Sequence, residues 1–139
     1  MRVCLDTNVL VAAFATRGLC ADVLRTVLVD HELVIGDVIL EELERVLAKK
    51  LGVPKPRREA VRAALATAVV VPRPAAPRPA APHTMPLADA DDPWIVATAI
   101  AGQAQVLVTG DHGLLATANT APLAILTPRA FWELLRKVR

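Results

Sequence analysis

Short apolar runs alternate with longer stretches of helical periodicity along almost the whole chain, and that alternation leaves few folds open. Residues 2–5, 32–35, 69–71, 105–109 and 123–126 each read as a short strand. Between and after them the spacing predicts helices over 9–15, 21–29, 37–50, 55–68, 93–102, 112–118 and 128–138. Val23, Leu24, Val27 and Leu28 form one apolar stripe, and Ile39, Leu40, Leu43, Val46 and Leu47 form another. Gly18 separates the first two helices, Asp37 reads as the cap of the third, and Gly52 with Pro54 ends it. Thr127 and Pro128 give the last helix a cap and a first-turn proline. Strands this short and apolar, joined by helices, imply an α/β fold: a three-layer α/β/α sandwich around a mostly parallel sheet. In such a sheet the functional crevice lies at the carboxyl ends of the strands.

A chain of 139 residues suits a single domain spanning 1–139. Aromatic residues make up only 3%, so the core must be built from Val, Leu, Ile and Ala. Cys4 and Cys20 lack zinc-ligand spacing and read as free thiols in a reducing compartment. Asp6 interrupts what would be the apolar region of a signal peptide, and no apolar run approaches the ~20 residues of a membrane span. The expectation is a soluble, cytoplasmic protein without a membrane partner. A Pro/Ala/Arg-rich segment at 72–88 repeats Arg-Pro-Ala-Ala-Pro and holds six of the eleven prolines. It reads as an extended surface loop.

Four acids fall where strands or helices end: Asp6, Glu42, Asp92 and Asp111. Each has a local explanation. Asp6 and Asp111 can cap the helices after them, and Asp92 can do the same before Pro93. Periodicity leaves Glu42 and Glu44 on the two borders of an apolar helix face and cannot choose between them, while Glu41 points to solvent. Taken together, and with Asp89 and Asp91 beside Asp92, the acids read as one cluster at one sheet edge. Carboxylates gathered from distant sequence repel one another unless a cation holds them. Thr7, Asn8 and Thr109 place short polar groups at the same edge. His31, His83 and His112 are scattered and read as surface residues.

Charge is uneven. Residues 45–78 contain nine Lys or Arg and one acid, Glu59, so this segment is +8 against −6 for the rest. Lys49, Lys50, Arg57, Arg58 and Arg62 form a basic strip suited to a polyanion approaching an acidic, metal-binding edge. A solvated helix face is the competing reading.

With these residues in view, the chain resembles the PIN-domain family, nucleases whose bacterial members include VapC-like toxins of toxin–antitoxin pairs. The resemblance covers essentially the whole chain. It rests on Leu5-Asp6-Thr7-Asn8-Val9-Leu10, on residues 39–47 around Glu42, on Asp89-Ala90-Asp91-Asp92-Pro93-Trp94-Ile95 and on Val108-Thr109-Gly110-Asp111. Leu126-Thr127-Pro128-Arg129 before the last helix is also similar. The order and spacing of these pieces carry the likeness. It implies a PIN-like fold and selects Glu42 over Glu44. It also implies Mg²⁺ or Mn²⁺ held by Asp6, Glu42, Asp92 and Asp111, with Thr7, Asn8, Asp89 and Thr109 supporting.

The implied activity is endonucleolytic hydrolysis of RNA, attracted by the basic strip. The implied partners are an antitoxin over the apolar helical surface of the N-terminal half and a second copy of the chain. Gly113 departs from the family, because many members carry an acid two positions after the one matched by Asp111; a second metal site would lack that ligand. A catalytically silent PIN-like scaffold that binds RNA or protein is the alternative. A dehalogenase-like phosphatase fits less well, since it wants a second aspartate where Asn8 stands. A response-regulator receiver wants an acidic pair after the first strand, and none is there.

Overall fold

A computed structural model describes residues 1–72 and 92–137, the side chains of 92–94 excepted. Five strands, β1 (Arg2–Leu5), β2 (Glu32–Gly36), β3 (Val69–Val71), β4 (Val106–Val108) and β5 (Ala124–Leu126), form one sheet in the order β3-β2-β1-β4-β5. Every neighbouring pair is parallel, with Val3 beside both Leu33 and Val106 and Leu5 beside Val108. Val3, Cys4 and Leu5 of the central strand are 0% exposed, and Val106, Leu107 and Val108 are buried beside them. Successive side chains point to opposite faces, so burial at every position means that both faces are covered. That is the α/β arrangement with a parallel central sheet that the alternating pattern implies.

The helices are α1 (Thr7–Ala15), α2 (Leu19–Asp30), α3 (Asp37–Arg45), α4 (Lys55–Ala64), α5 (Asp92–Ala101), α6 (His112–Leu115) and α7 (Pro128–Lys137). The chain first steps outward from β1 to β2 and β3, then crosses back to β4 and β5 on the other side of β1. Right-handed crossovers in opposite directions send their helices to opposite faces. The strand order therefore reverses between β1 and β4, and a crevice opens at their carboxyl ends. α7 returns to pack on α2 and β5, burying Phe131 and Leu135. On β2, α5 lies so close that a Cβ on Gly36 would stand 2.3 Å from Thr98 Cγ2. A Cβ on Gly102 would stand 2.4 Å from Val34 Cγ1. These two glycines let α5 sit flush on the sheet.

Several boundaries differ from the sequence reading, each for a local reason. α1 begins at Thr7 because Asp6 caps it directly. Gly36, not Asp37, is the extended residue before α3, and no side chain caps that helix; Asp37 is its first residue. The predicted helix over 37–50 changes winding at Val46, and Val46–Lys50 forms a π-helical turn. Leu51 N donates to Val46 O (3.0 Å) and Val53 N to Leu47 O (2.8 Å), with Gly52 at φ +61° closing the end. α4 stops at Ala64, where Leu65 turns into the core. Thr127 does cap α7, its Oγ1 accepting from Ala130 N at 3.0 Å. Both cysteines are free, Cys4 buried and Cys20 half-buried.

Among the described residues no single helix is long and apolar enough to cross a membrane; α1 and α2 reach that length only as a pair bent by 104°. The proline repeat lies outside the described residues.

Candidate active site

β1 ends at Leu5 and α1 starts at Thr7, which leaves Asp6 as the one residue between strand and helix. Its extended backbone (φ −70°, ψ 161°) turns the chain, and its Oδ1 accepts from Thr7 N at 2.7 Å. Its backbone N donates to Val108 O (2.9 Å), joining the ends of β1 and β4. The other carboxylate oxygen, Oδ2, accepts from the Thr109 hydroxyl at 2.7 Å. Asp6 is only 4% exposed and Thr109 is fully buried. A buried charge is costly unless hydrogen-bonded, and these bonds hold the carboxylate in one orientation.

Thr109 links the two strand ends. While donating to Asp6, its oxygen accepts from Asp111 N at 3.0 Å. Asp111 caps α6, its Oδ2 accepting from Leu114 N at 3.3 Å. Gly110 N donates to Asn8 Oδ1 at 3.3 Å, tying the β4 turn to the start of α1. Asp6 and Asp111 are thus helix caps, as the local explanation has it, and also members of one hydrogen-bonded constellation. The Cys4 thiol, fully buried two residues earlier in β1, is pushed well above its ordinary range, first by burial and second by the charge on Asp6.

Asp6, Thr7, Asn8, Glu42 and Asp111 line one pocket of about 560 Å³. The rest of its lining is apolar apart from Thr16: Val11, Ala12 and Ala15 of α1, Val46 of the π-helical turn, Leu51 just after it, and Ile95 of α5. The structure separates Glu42 from Glu44. Glu42 is half-buried, with its Oε1 shielded from solvent, and faces this pocket. Glu44 is exposed and pairs with Arg62 in a different hollow. The cause is the burial of Val38, Ile39 and Leu43 against the sheet, which leaves Glu42 at the inner border of α3. Asp92 begins α5, and Ile95 one turn later lines the pocket. The Asp92 side chain and the whole of Asp89 lie outside the described residues.

Among the described residues, no group of three or more His, Cys, Asp or Glu side chains stands close enough to hold one metal ion. The donor set nevertheless suits a hard cation. It consists of carboxylate, amide and hydroxyl oxygens, and no Lys, Arg or His among the described residues lines the pocket. Thr7 Oγ1 adds an independent sign: it is buried, lies in a residue lining this pocket, and makes no hydrogen bond. Buried hydroxyls ordinarily have partners.

The basic strip divides. Arg62 is engaged by Glu44, and Arg58 Nη1 donates to Val53 O at 3.0 Å. Lys49 and Lys50 are exposed at the end of the π-helical turn. Arg57 lines a smaller hollow of about 260 Å³ with Phe14, Leu47, Val53 and Val61; it also shares Ala15 and Leu51 with the acidic pocket. The apolar wall has no counterpart in the sequence reading. Leu51 in particular has no α-helical signal that could have placed it, because its position depends on the wider turn.

A family model described as a PIN domain matches residues 2–113, from β1 through the acid-bearing turn after β4. A chain from a solved structure, "Crystal structure of VapBC2 from Rickettsia felis bound to a DNA fragment from their promoter", is similar in fold. The TM-score is 0.65 at 20% identity, covering 90% of this chain and 97% of that one. No curated protein matches the sequence. The matched segment spans most of the chain and carries the strand reversal together with Asp6, Glu42, Asp92 and Asp111; the protein belongs to the PIN-domain family.

Proposed function

We propose that the protein is a metal-dependent endoribonuclease and the toxin of a toxin–antitoxin pair. The observation that carries this reading is the placement of Asp6, Glu42 and Asp111 on one pocket at the point where the strand order reverses, beside a buried Thr7 hydroxyl that makes no hydrogen bond. Asp6, Glu42, Asp92 and Asp111 would hold Mg²⁺ or Mn²⁺, the hard ions that carboxylate oxygens favour. When bound, such an ion supplies positive charge to a phosphodiester and lowers the pKa of a water.

The protein's own groups do the positioning. Thr7 N–H and the Thr109 hydroxyl fix both oxygens of Asp6. The Thr109 oxygen and the Asn8–Gly110 bond fix the turn that presents Asp111. Lys49, Lys50 and Arg57 give sequence-independent attraction to phosphates. Gly113 leaves a second ion without one carboxylate that many relatives supply, so one tightly held ion is the simpler arrangement.

The partners follow the fold likeness: an antitoxin protein, as the name of the similar VapBC2 structure suggests by analogy, and a second copy of this chain. Residues 1–139 act as one domain in the cytoplasm. The second reading, a silent scaffold binding RNA or protein, draws on Gly113 and on the absence of a tight three-carboxylate cluster among the described residues.

Cleavage of labelled RNA in Mg²⁺ or Mn²⁺, with and without chelator, tests the proposal. Wild type should cleave only with metal, and Asp92→Asn should not cleave while remaining at least as stable, because carboxylate repulsion is relieved. Cleavage by Asp92→Asn at the wild-type rate would remove Asp92 from the site. Calorimetry showing no metal binding by wild type would leave the scaffold.

A further inference from the structure

We infer that the apolar wall of the pocket seats one nucleobase of a single-stranded substrate, and that Arg57 beyond it takes the adjoining phosphate. This rests on the nuclease reading and adds a substrate subsite to it. The pocket joins two chemistries in one space: acids and hydroxyl-bearing residues, and the apolar side chains of Val11, Ala15, Val46 and Leu51. Hydrolysis of a phosphodiester uses only the first. A nucleotide uses both, because its phosphate is charged while the faces of its base are flat and weakly hydrated.

The wall is a product of the π-helical turn. In a regular helix, at about 100° per residue, Leu51 would fall on the side of the helix opposite Glu42. The wider turn, closed by Leu51 N on Val46 O at 3.0 Å, winds less per residue and brings Leu51 to the pocket that Glu42 and Val46 also line. Leu51 is left 48% exposed at the lip. An isolated exposed leucine needs no explanation; one that a change of winding delivers to the mouth of an acidic pocket has a place in the site.

Past Leu51 and Ala15 the surface continues into the hollow lined by Arg57. Arg57 is exposed and forms no ion pair among the described residues, whereas Arg58 and Arg62 are already engaged. The path from carboxylates to apolar wall to guanidinium matches phosphate, base and next phosphate along one strand. A duplex would keep the base stacked and out of the pocket. A protein partner could use the apolar wall but would have no base to lose, and this separates it in the test.

The experiment measures binding of a short labelled RNA to the full-length Asp92→Asn protein in Mg²⁺. The probes are the mixed-sequence single strand, the same strand in a duplex, and a strand with abasic positions. Leu51→Ser should weaken the intact single strand roughly fivefold and leave the abasic strand and the duplex unchanged. Arg57→Gln should weaken intact and abasic strands equally and reduce the salt slope by about one. Arg25→Gln, on the exposed face of α2, serves as the control and should change neither.

Equal binding of the intact strand by Leu51→Ser and its parent overturns the inference, as does an equal loss on the abasic strand. A changed oligomeric mass for Leu51→Ser with unchanged RNA affinity also overturns it, by making the wall a protein interface. If wild type cleaves RNA but these variants bind as the parent does, only the subsite falls. If wild type neither cleaves nor binds RNA, the nuclease reading falls with it.

Discussion

Two hollows of similar size, about 510 and 560 Å³, flank α3, and each is lined by three acidic side chains. Between α3 and α4 the acids are Glu41, Glu44 and Glu59, and they alternate with Arg45, Lys55, Arg58 and Arg62. At the carboxyl ends of β1 and β4 the acids are Asp6, Glu42 and Asp111, set among Thr7, Asn8 and apolar residues. The first arrangement is a solvated surface, where exposed ion pairs such as Arg62–Glu44 contribute little. In the second, the buried Asp6 is held by hydrogen bonds from a backbone N–H and a hydroxyl. Three glutamates within four residues of one helix are thus sorted into two chemistries by which side of α3 they leave. The lesson is that acid count does not mark a site; the company of the acids does.

The sharpest way to break this contrast is to treat both hollows alike. Glu42→Gln should lower metal-dependent RNA cleavage by at least about a hundredfold, since ligands that place charge at a reacting phosphate are worth several kcal/mol. A loss of less than threefold would put Glu42 outside the site and return it to the surface class of Glu44.

Thr109→Val tests whether the pocket is held by its hydroxyl bridge. The substitution removes a donor to the buried Asp6 Oδ2 and the acceptor for the half-buried Asp111 N. The expected cost is about 1–3 kcal/mol in denaturant unfolding, together with slower cleavage. An unchanged midpoint would show that the bridge contributes nothing to the pocket's order.

Burial beneath the pocket can be read through Cys4. Its thiol is pushed upward by burial and by Asp6, from an ordinary value of 9.0. A raised folded value means that the native state keeps its proton while the unfolded chain loses it. This contribution to stability is complete below pH 9 and declines as pH rises above it. Urea unfolding between pH 7 and 10 should show the decline, and Cys4→Ala should lessen it. Iodoacetamide at neutral pH should reach Cys20 before Cys4.

The smallest effect is expected on the solvated side. Glu44→Gln should cost less than about 1 kcal/mol, because the Arg62–Glu44 pair is exposed. Cleavage should be unchanged.

Much of the scaffold could be read from the chain. Uniformly apolar strands such as Val3-Cys4-Leu5 and Val106-Leu107-Val108 required a sheet covered on both faces, and alternation with helices required parallel pairing. Asp6 and Asp111 were legible because one directly follows a strand and the other closes the short turn after one. Helix ends were less so. Asp37 looked like a cap, but the extended conformation falls on Gly36, which must pass under Thr98. The chemistry of Asp6 and Asp111 as caps was also legible, and so was their gathering at one sheet edge; the bonds that join them through Thr109 were not, since a hydroxyl beside a strand leaves no trace of its partner in sequence.

By itself, then, the sequence determined the layered α/β architecture and which carboxylates end strands, because burial on both faces and turn chemistry are written in nearest neighbours. The family likeness chose Glu42 over Glu44, but only the tertiary structure showed which hollow each of them lines, that Thr109 joins Asp6 to Asp111, and that Leu51 stands at the pocket's lip. Those outcomes depend on how α3 packs, on contacts more than a hundred residues apart, and on a turn wound outside the α-helical period. Periodicity carries no information about any of the three.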